Sequence, residues 1–341
     1  MDLLREHCML AAQFNAKERC PPRCEATRTA MMQCLEAWVE SGKDMFWLYG
    51  GAGAGKSALA QSLIERSRKH VAASFFFSKT SKIPRRDGDK LILTLVYQLV
   101  HTIPVLKSFF EKQICDNLDF FEKDRKTQLE ILFITPLRTA FNANAIQVSK
   151  FPHVIVIDGL DECHDPEVQC DLLRIIANAI SRLPNFFRFL VASRPETRIK
   201  QTFEHDDALQ AITVDRCNLS RHGDADEDIS NFVRKEFDDI RRVHPLRKFL
   251  PSQWPDEDDI SALVERSSKH FIYASTVMEY IKSEIHQPQD RLNIVLGLCR
   301  PGADGGPFSR LDEMYSLIFR DMESSQLEKL HRAFGILHLC I

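Results

Sequence analysis

No stretch of this 341-residue chain carries the roughly 18 consecutive apolar residues of a membrane-spanning helix. The amino terminus, MDLLREHCMLAAQFNAKERC, scatters charges through short apolar patches and has no small-residue cleavage pattern, so no secretory signal is read there. A dominant charge of one sign is also missing. The 45 basic and 48 acidic residues leave −3, which excludes a histone-like or strongly polybasic class. No repeat of roughly 20–50 residues and no low-complexity tract is found. Without an export signal, the ten Cys are expected to be reduced thiols in a cytoplasmic protein. Cys20 and Cys24 have no partner pair at ligand spacing. Cys163, His164 and Cys170 read as ordinary side chains, not zinc ligands.

What is present is ample material for a core: 44% apolar residues, with 23 Phe. At roughly 150 residues per domain the length suggests two units, or one core with a large appendage. Met31, Met32, Leu35 and Val39 recur at helical spacing, predicting a helix over 26–39. Apolar runs predict strands at 45–50 (MFWLYG), 71–78 (VAASFFFS), 153–158 (HVIVID) and 186–193 (FFRFLVAS), with a weaker one at 208–214 (ALQAITV). Helices are expected from Ser57, from Leu91, and over 104–117, 125–142 and 167–182. Beyond 215 no strong strand appears, and helical patterns cover 225–242, 257–268, 270–286, 290–299, 309–322 and 325–340. The expectation is a three-layer α/β fold with a central, mainly parallel sheet, followed by an all-helical region. A basic run over 65–90, an acidic run over 224–239 and the DEDD of 256–259 read as solvated faces or loops.

The chemistry-bearing pattern is Gly50-Gly51-Ala52-Gly53-Ala54-Gly55-Lys56-Ser57, which satisfies G-x-x-x-x-G-K-[ST] between a strand and a helix. Small residues let the backbone wrap a polyphosphate, and successive N–H groups with the helix N-terminus make an anion nest. Lys56 would meet the β and γ phosphates, and Ser57 would complete a Mg²⁺ shell. The strand at 153–158 ends in Asp158, a carboxylate delivered to the sheet edge where ligands bind; it would hold Mg²⁺. Asp161 and Glu162 follow, placed to orient or deprotonate an attacking water. Arg194, ending the next strand in Val191-Ala192-Ser193-Arg194-Pro195, would contact the γ-phosphate.

Together the P-loop, VIVIDGLDEC and LVASRPE resemble, in this order, the NACHT branch of the STAND-class P-loop NTPases. The likeness is to fungal NLR-like proteins and the nephrocystin-type N-terminal module. TRTAMMQCLEAWVE resembles the family's lead-in helix, and DISNFVRKEF, HFIYASTVMEYI and LDEMYSLIF its helical region. The resemblance implies a nucleotide-dependent signalling switch, of the fungal innate-immunity or heterokaryon-incompatibility kind, using ATP/ADP and Mg²⁺. It implies slow hydrolysis, and self-association or partner proteins on activation. Thr27 and Arg28 would line the adenine side. It divides the chain into a polar segment (1–24), an NTPase core (25–215), a helical lid domain (216–322) and the start of a truncated winged helix (323–341), in which the family's diphosphate-sensing His cannot be assigned. A GTPase would need an N/T-K-x-D segment, which is missing; the acidic pair suits water activation better than a kinase; and nothing reads nucleic acid. The remaining rival is a scaffold that binds nucleotide without hydrolysing it.

Overall fold

Near-continuous apolar runs form strands only where both faces of a sheet are covered. In the computed structural model, which describes residues 1–16, 29–79, 81, 83, 85–147, 152–219, 225–268 and 270–297, such runs make one sheet. Its strands are β1 (Met45–Tyr49), β2 (Val71–Phe76), β3 (Val154–Asp158), β4 (Arg188–Ser193) and β5 (Val214–Asn218). Their order is β2-β3-β4-β1-β5, and every neighbouring pair is parallel. The helices are α1 (Asp2–His7), α2 (Thr29–Ser41), α3 (Lys56–Arg66), α4 (Lys90–Thr102), α5 (Lys107–Asp116), α6 (Arg125–Leu129), α7 (Thr135–Asn142), α8 (Pro166–Arg182), α9 (Thr197–His205) and α10 (Asp207–Gln210). After them come α11 (Ala225–Val243), α12 (Glu257–Ser267), α13 (Phe271–Ile281) and α14 (Pro288–Gly297). No single described helix is long and apolar enough to cross a membrane.

The three layers follow from the period of two along each strand. Val154 and Val156 of β3 face the α2–α3 layer, packing with Leu35, Leu59 and Leu63. Ile155 and Ile157 face the opposite layer, with Leu91, Val96, Leu99, Leu172 and Ile176. The predicted helix 125–142 is one continuous rod interrupted by a π-helical turn, Glu130–Ile134, just before Pro136.

One strand lies elsewhere than its sequence pattern suggested. Residues 207–210 are helical, because the Asp206 carboxylate caps the Ala208 N–H at 3.1 Å. The strand is Val214–Asn218, at the sheet edge beside β1. With a single neighbour it has no need of a continuous apolar run, and only Cys217 is fully buried. The N-terminal segment, polar on average, contributes apolar anchors: Leu4 and Ala12 are wholly buried. Met9 N–H donates to Thr94 Oγ1 at 2.9 Å, and Phe14 N–H to Ser74 Oγ at 3.1 Å.

The chain separates into two compact units, Met1–His222 and Gly223–Ile341. The described part of the second is α11–α14 around Ile229, Val233, Phe237, Trp254, Leu263, Val277 and Ile281. Its DEDD run proves to be a helix start. Asp256 accepts from Asp259 N–H at 2.7 Å and Asp259 accepts from Asp256 N–H at 3.3 Å, a capping box with acids in the first turn of α12. The predicted helices 309–322 and 325–340, the winged-helix start at 323–341, and Cys20, Cys24, Thr27 and Arg28 lie outside the described residues.

Candidate functional site

The sheet order decides which loops meet. Strand β4 lies between β1 and β3, and Ala192 pairs with both Leu48 and Asp158. The carboxyl ends of these three strands therefore stand side by side. Gly50 and Asp158 are separated by two strand spacings, roughly 10 Å, with Arg194 between them. Ligands of open α/β sheets bind outside such carboxyl ends.

Beyond β1 the chain turns through 50–55 into α3. Gly53 (φ 68°) and Gly55 (φ 84°) occupy the left-handed region that side chains disfavour. A Cβ added at Gly51 or Gly55 would meet no atom within 4 Å, so the loop borders an open cradle. Lys56 reaches back across it, donating to Gly50 O at 2.8 Å and Gly51 O at 2.9 Å. Burial lowers its pKa below the ordinary 10.5, while Asp161, Asp158 and Glu162 pull it up and Arg194 pushes it down. Four charged groups predicted from scattered parts of the sequence thus act on one ammonium.

Asp158 is 3% exposed. The chain then leaves β3 through Gly159, whose N–H donates to Ala192 O at 2.9 Å in a left-handed conformation (φ 72°). A Cβ there would stand 3.1 Å from Phe77 O. The tight turn Leu160–Glu162 follows, with Glu162 N–H bonded to Gly159 O at 2.7 Å. This geometry separates the two acids that sequence had placed together. Both oxygens of Asp161 face Arg194: Oδ1 accepts the Arg194 backbone N–H at 2.9 Å, and Oδ2 lies 3.2 Å from Nε. Glu162 has a different partner: its Oε2 accepts the Lys79 N–H at 2.9 Å, and its charge still acts on Lys56. Arg194 itself is half-exposed, its side chain 49% accessible.

Two supports were missed in the sequence reading. The Trp47 indole N–H donates to Ser193 Oγ at 2.9 Å, tying the end of β4 to β1 from within. The ring itself is stacked between Tyr49 and Phe203, at 4.2 and 4.1 Å. The other support is the Lys79 amide, which no side-chain pattern announces. An aromatic Trp in a strand that leads into a glycine loop was the available signal for the first.

Residues 29–194 match the family described as nephrocystin 3, N-terminal. The match supports a NACHT-like P-loop NTPase module over that stretch. The chain is similar in fold to the Walker-type ATPase of Pyrococcus abyssi, with TM-score 0.50 and 13% identity over 92% of this chain and 79% of that one. C. elegans PCH-2 aligns at TM-score 0.39 and 13% identity, covering 79% of this chain and 66% of that one. Domain III of the Thermotoga maritima replication initiation protein DnaA aligns at TM-score 0.38 and 11% identity, covering 86% and 99%. A search of curated proteins returns no significant match. The parallel sheet with its flanking helices is an α/β P-loop fold.

Proposed function

We propose that the chain is a Mg²⁺-dependent ATP/ADP switch that hydrolyses the triphosphate slowly. The observation that carries this reading is the convergence of Lys56, Asp158, Glu162 and Arg194 at the carboxyl ends of β1, β3 and β4. The residues fit a polyphosphate: an open glycine cradle, the N-terminus of an 11-residue helix and a lysine at the loop's mouth. Ser57 and Asp158 offer the hard oxygen donors that suit Mg²⁺. When bound, that ion neutralises phosphate charge.

Each residue then has a task. The backbone of Gly50, Gly51, Ala52, Gly53, Ala54 and Gly55 cradles the phosphates. Lys56 has three N–H bonds, of which two go to Gly50 and Gly51 carbonyls; the third is available to a phosphate oxygen. Glu162 orients the attacking water and accepts its proton. Asp161, occupied by Arg194, is a positioning residue: it fixes the base of the arginine whose half-exposed guanidinium reads the γ-phosphate. A ligand shifts a conformational equilibrium only through groups that touch it, and here these are Lys56 and Arg194.

On this reading the chain divides as the family resemblance implies, into a core over 25–215, a lid over 216–322 and a winged-helix start at 323–341. Its setting is STAND-class, NLR-like signal transduction in the cytoplasm, of the fungal innate-immunity or heterokaryon-incompatibility type, with self-association or partner binding in the triphosphate state. A non-hydrolysing scaffold is the second reading. The Lys79 N–H that already occupies Glu162 favours it. Turnover measured with and without Mg²⁺ separates the two. In calorimetry, Lys56→Ala should lose ATP binding, and wild-type affinity in that variant would overturn the nucleotide site itself.

A further inference from the structure

Glu162 sits in a turn of only three residues, and such a turn does not hold a carboxylate by itself. One side chain braces it from outside. Gln169 lies in the first half of α8, 2% exposed. The helix begins at Pro166 behind an Asp165 cap, whose carboxylate accepts the Glu167 N–H at 2.8 Å. That start aims Gln169 back at the turn. Its Nε2 donates to Asp161 O at 3.2 Å and to Cys163 O at 2.8 Å. These are the two carbonyls on either side of Glu162. An amide nitrogen has two protons, and both are used here. Among the described residues no other hydrogen bond to either carbonyl is seen.

We infer that Gln169 is a positioning residue for hydrolysis, clamping the backbone on both sides of Glu162 so that its carboxylate is held toward the γ-phosphate side of the sheet edge. The inference rests on the water-activating role proposed for Glu162. The same clamp also steadies Asp161, whose carboxylate holds Arg194. The two groups that meet the reacting phosphate are therefore registered to one another through a single buried amide. Gln169 touches no reacting atom; it acts through the turn. An apolar side chain of the same length would leave Asp161 O and Cys163 O buried without a donor, and the turn would relax to satisfy them. Displacement of a reacting group by about 1 Å is enough to cost on the order of a hundredfold in rate.

The test compares Gln169→Met, Glu162→Gln and the double variant of the full chain, measuring ATP affinity by calorimetry and single-turnover hydrolysis. In Gln169→Met the affinity should stay within about twofold of wild type, because the P-loop is untouched, while the hydrolysis rate falls at least tenfold. The double variant should hydrolyse no more slowly than Glu162→Gln alone, because a residue acting through Glu162 has nothing left to position. A merely structural glutamine would instead add its loss to that of Glu162→Gln. If Gln169→Met does not melt cooperatively, Gln169→Asn, uncharged and with its amide one methylene too short to reach both carbonyls, takes its place with the same expectations. Hydrolysis abolished in Glu162→Gln but intact in the Gln169 variant overturns the inference alone. Hydrolysis intact in Glu162→Gln overturns the water-activating role and this inference with it.

Discussion

Asp161 and Glu162 are adjacent acids, yet opposite outcomes are expected when each loses its charge. Asp161→Asn keeps an oxygen to accept the Arg194 backbone N–H, now at 2.9 Å, and loses the charge that faces Nε at 3.2 Å. Arg194 is half-exposed, so this ion pair is screened and its loss costs about 0.5–1 kcal/mol. Asp161→Ala also removes the acceptor of that backbone N–H, adding about 1–2 kcal/mol. Urea denaturation should therefore rank the variants wild type, Asp161→Asn, Asp161→Ala, with the alanine variant about 1.5–3 kcal/mol below wild type. Hydrolysis should follow a different order. Asp161→Asn should lose no more than about tenfold, through a less firmly held Arg194. Glu162→Gln should lose at least a hundredfold, the usual lower range for a general base. If Asp161→Asn abolishes turnover as completely as Glu162→Gln, water activation belongs to Asp161 and the division of roles is refuted. If Asp161→Ala is as stable as wild type, the clamp on Arg194 has no energetic content.

Gly159→Ala should destabilise the fold by about 1–2 kcal/mol in the same urea assay, since the left-handed backbone penalises a side chain and the added Cβ would press on Phe77 O. Burial depresses the Lys56 pKa below 10.5, and polyphosphate favours the charged form, so between the depressed value and 10.5 nucleotide binding must take up a proton. ATP affinity should therefore fall as pH rises through that window, with proton uptake visible in calorimetry across buffers of different ionisation enthalpy and missing in Lys56→Met. The sign for stability is the reverse: the unfolded chain holds more protons in the same window, so this group's contribution to stability grows as pH rises through it. Burial raises the Cys8 thiol to about 12, and its single S–H lies between the Leu4 and Leu93 carbonyls, with Sγ 2.9 and 3.2 Å from their oxygens. Peptide mapping after alkylation at pH 8 should find Cys34 and Cys115, both exposed, modified well before Cys8.

The distance over which each feature is determined explains how much of it the sequence displayed. The cradle was legible because close approach to phosphate demands glycines and a lysine at fixed local offsets, and those same residues set the backbone at Gly53 and Gly55. Asp158 was legible because a buried strand that ends in a charge has little other use for it. The edge strand β5 was hidden, since one-sided pairing with β1 relaxes the demand for an apolar run. The strand order was hidden as well. It depends on β4 filling the place between β1 and β3, which no local pattern encodes. That order is what puts Arg194 between the P-loop and Asp158, and it turns two neighbouring acids to different partners. The division between Asp161 and Glu162 then depends on a left-handed Gly159 followed by a single tight turn, so that consecutive side chains diverge. A motif of adjacent carboxylates reports that charge is needed at the edge of the sheet. Under the proposed function Glu162 serves the water because the other carboxylate, Asp161, is occupied by an arginine 33 positions downstream.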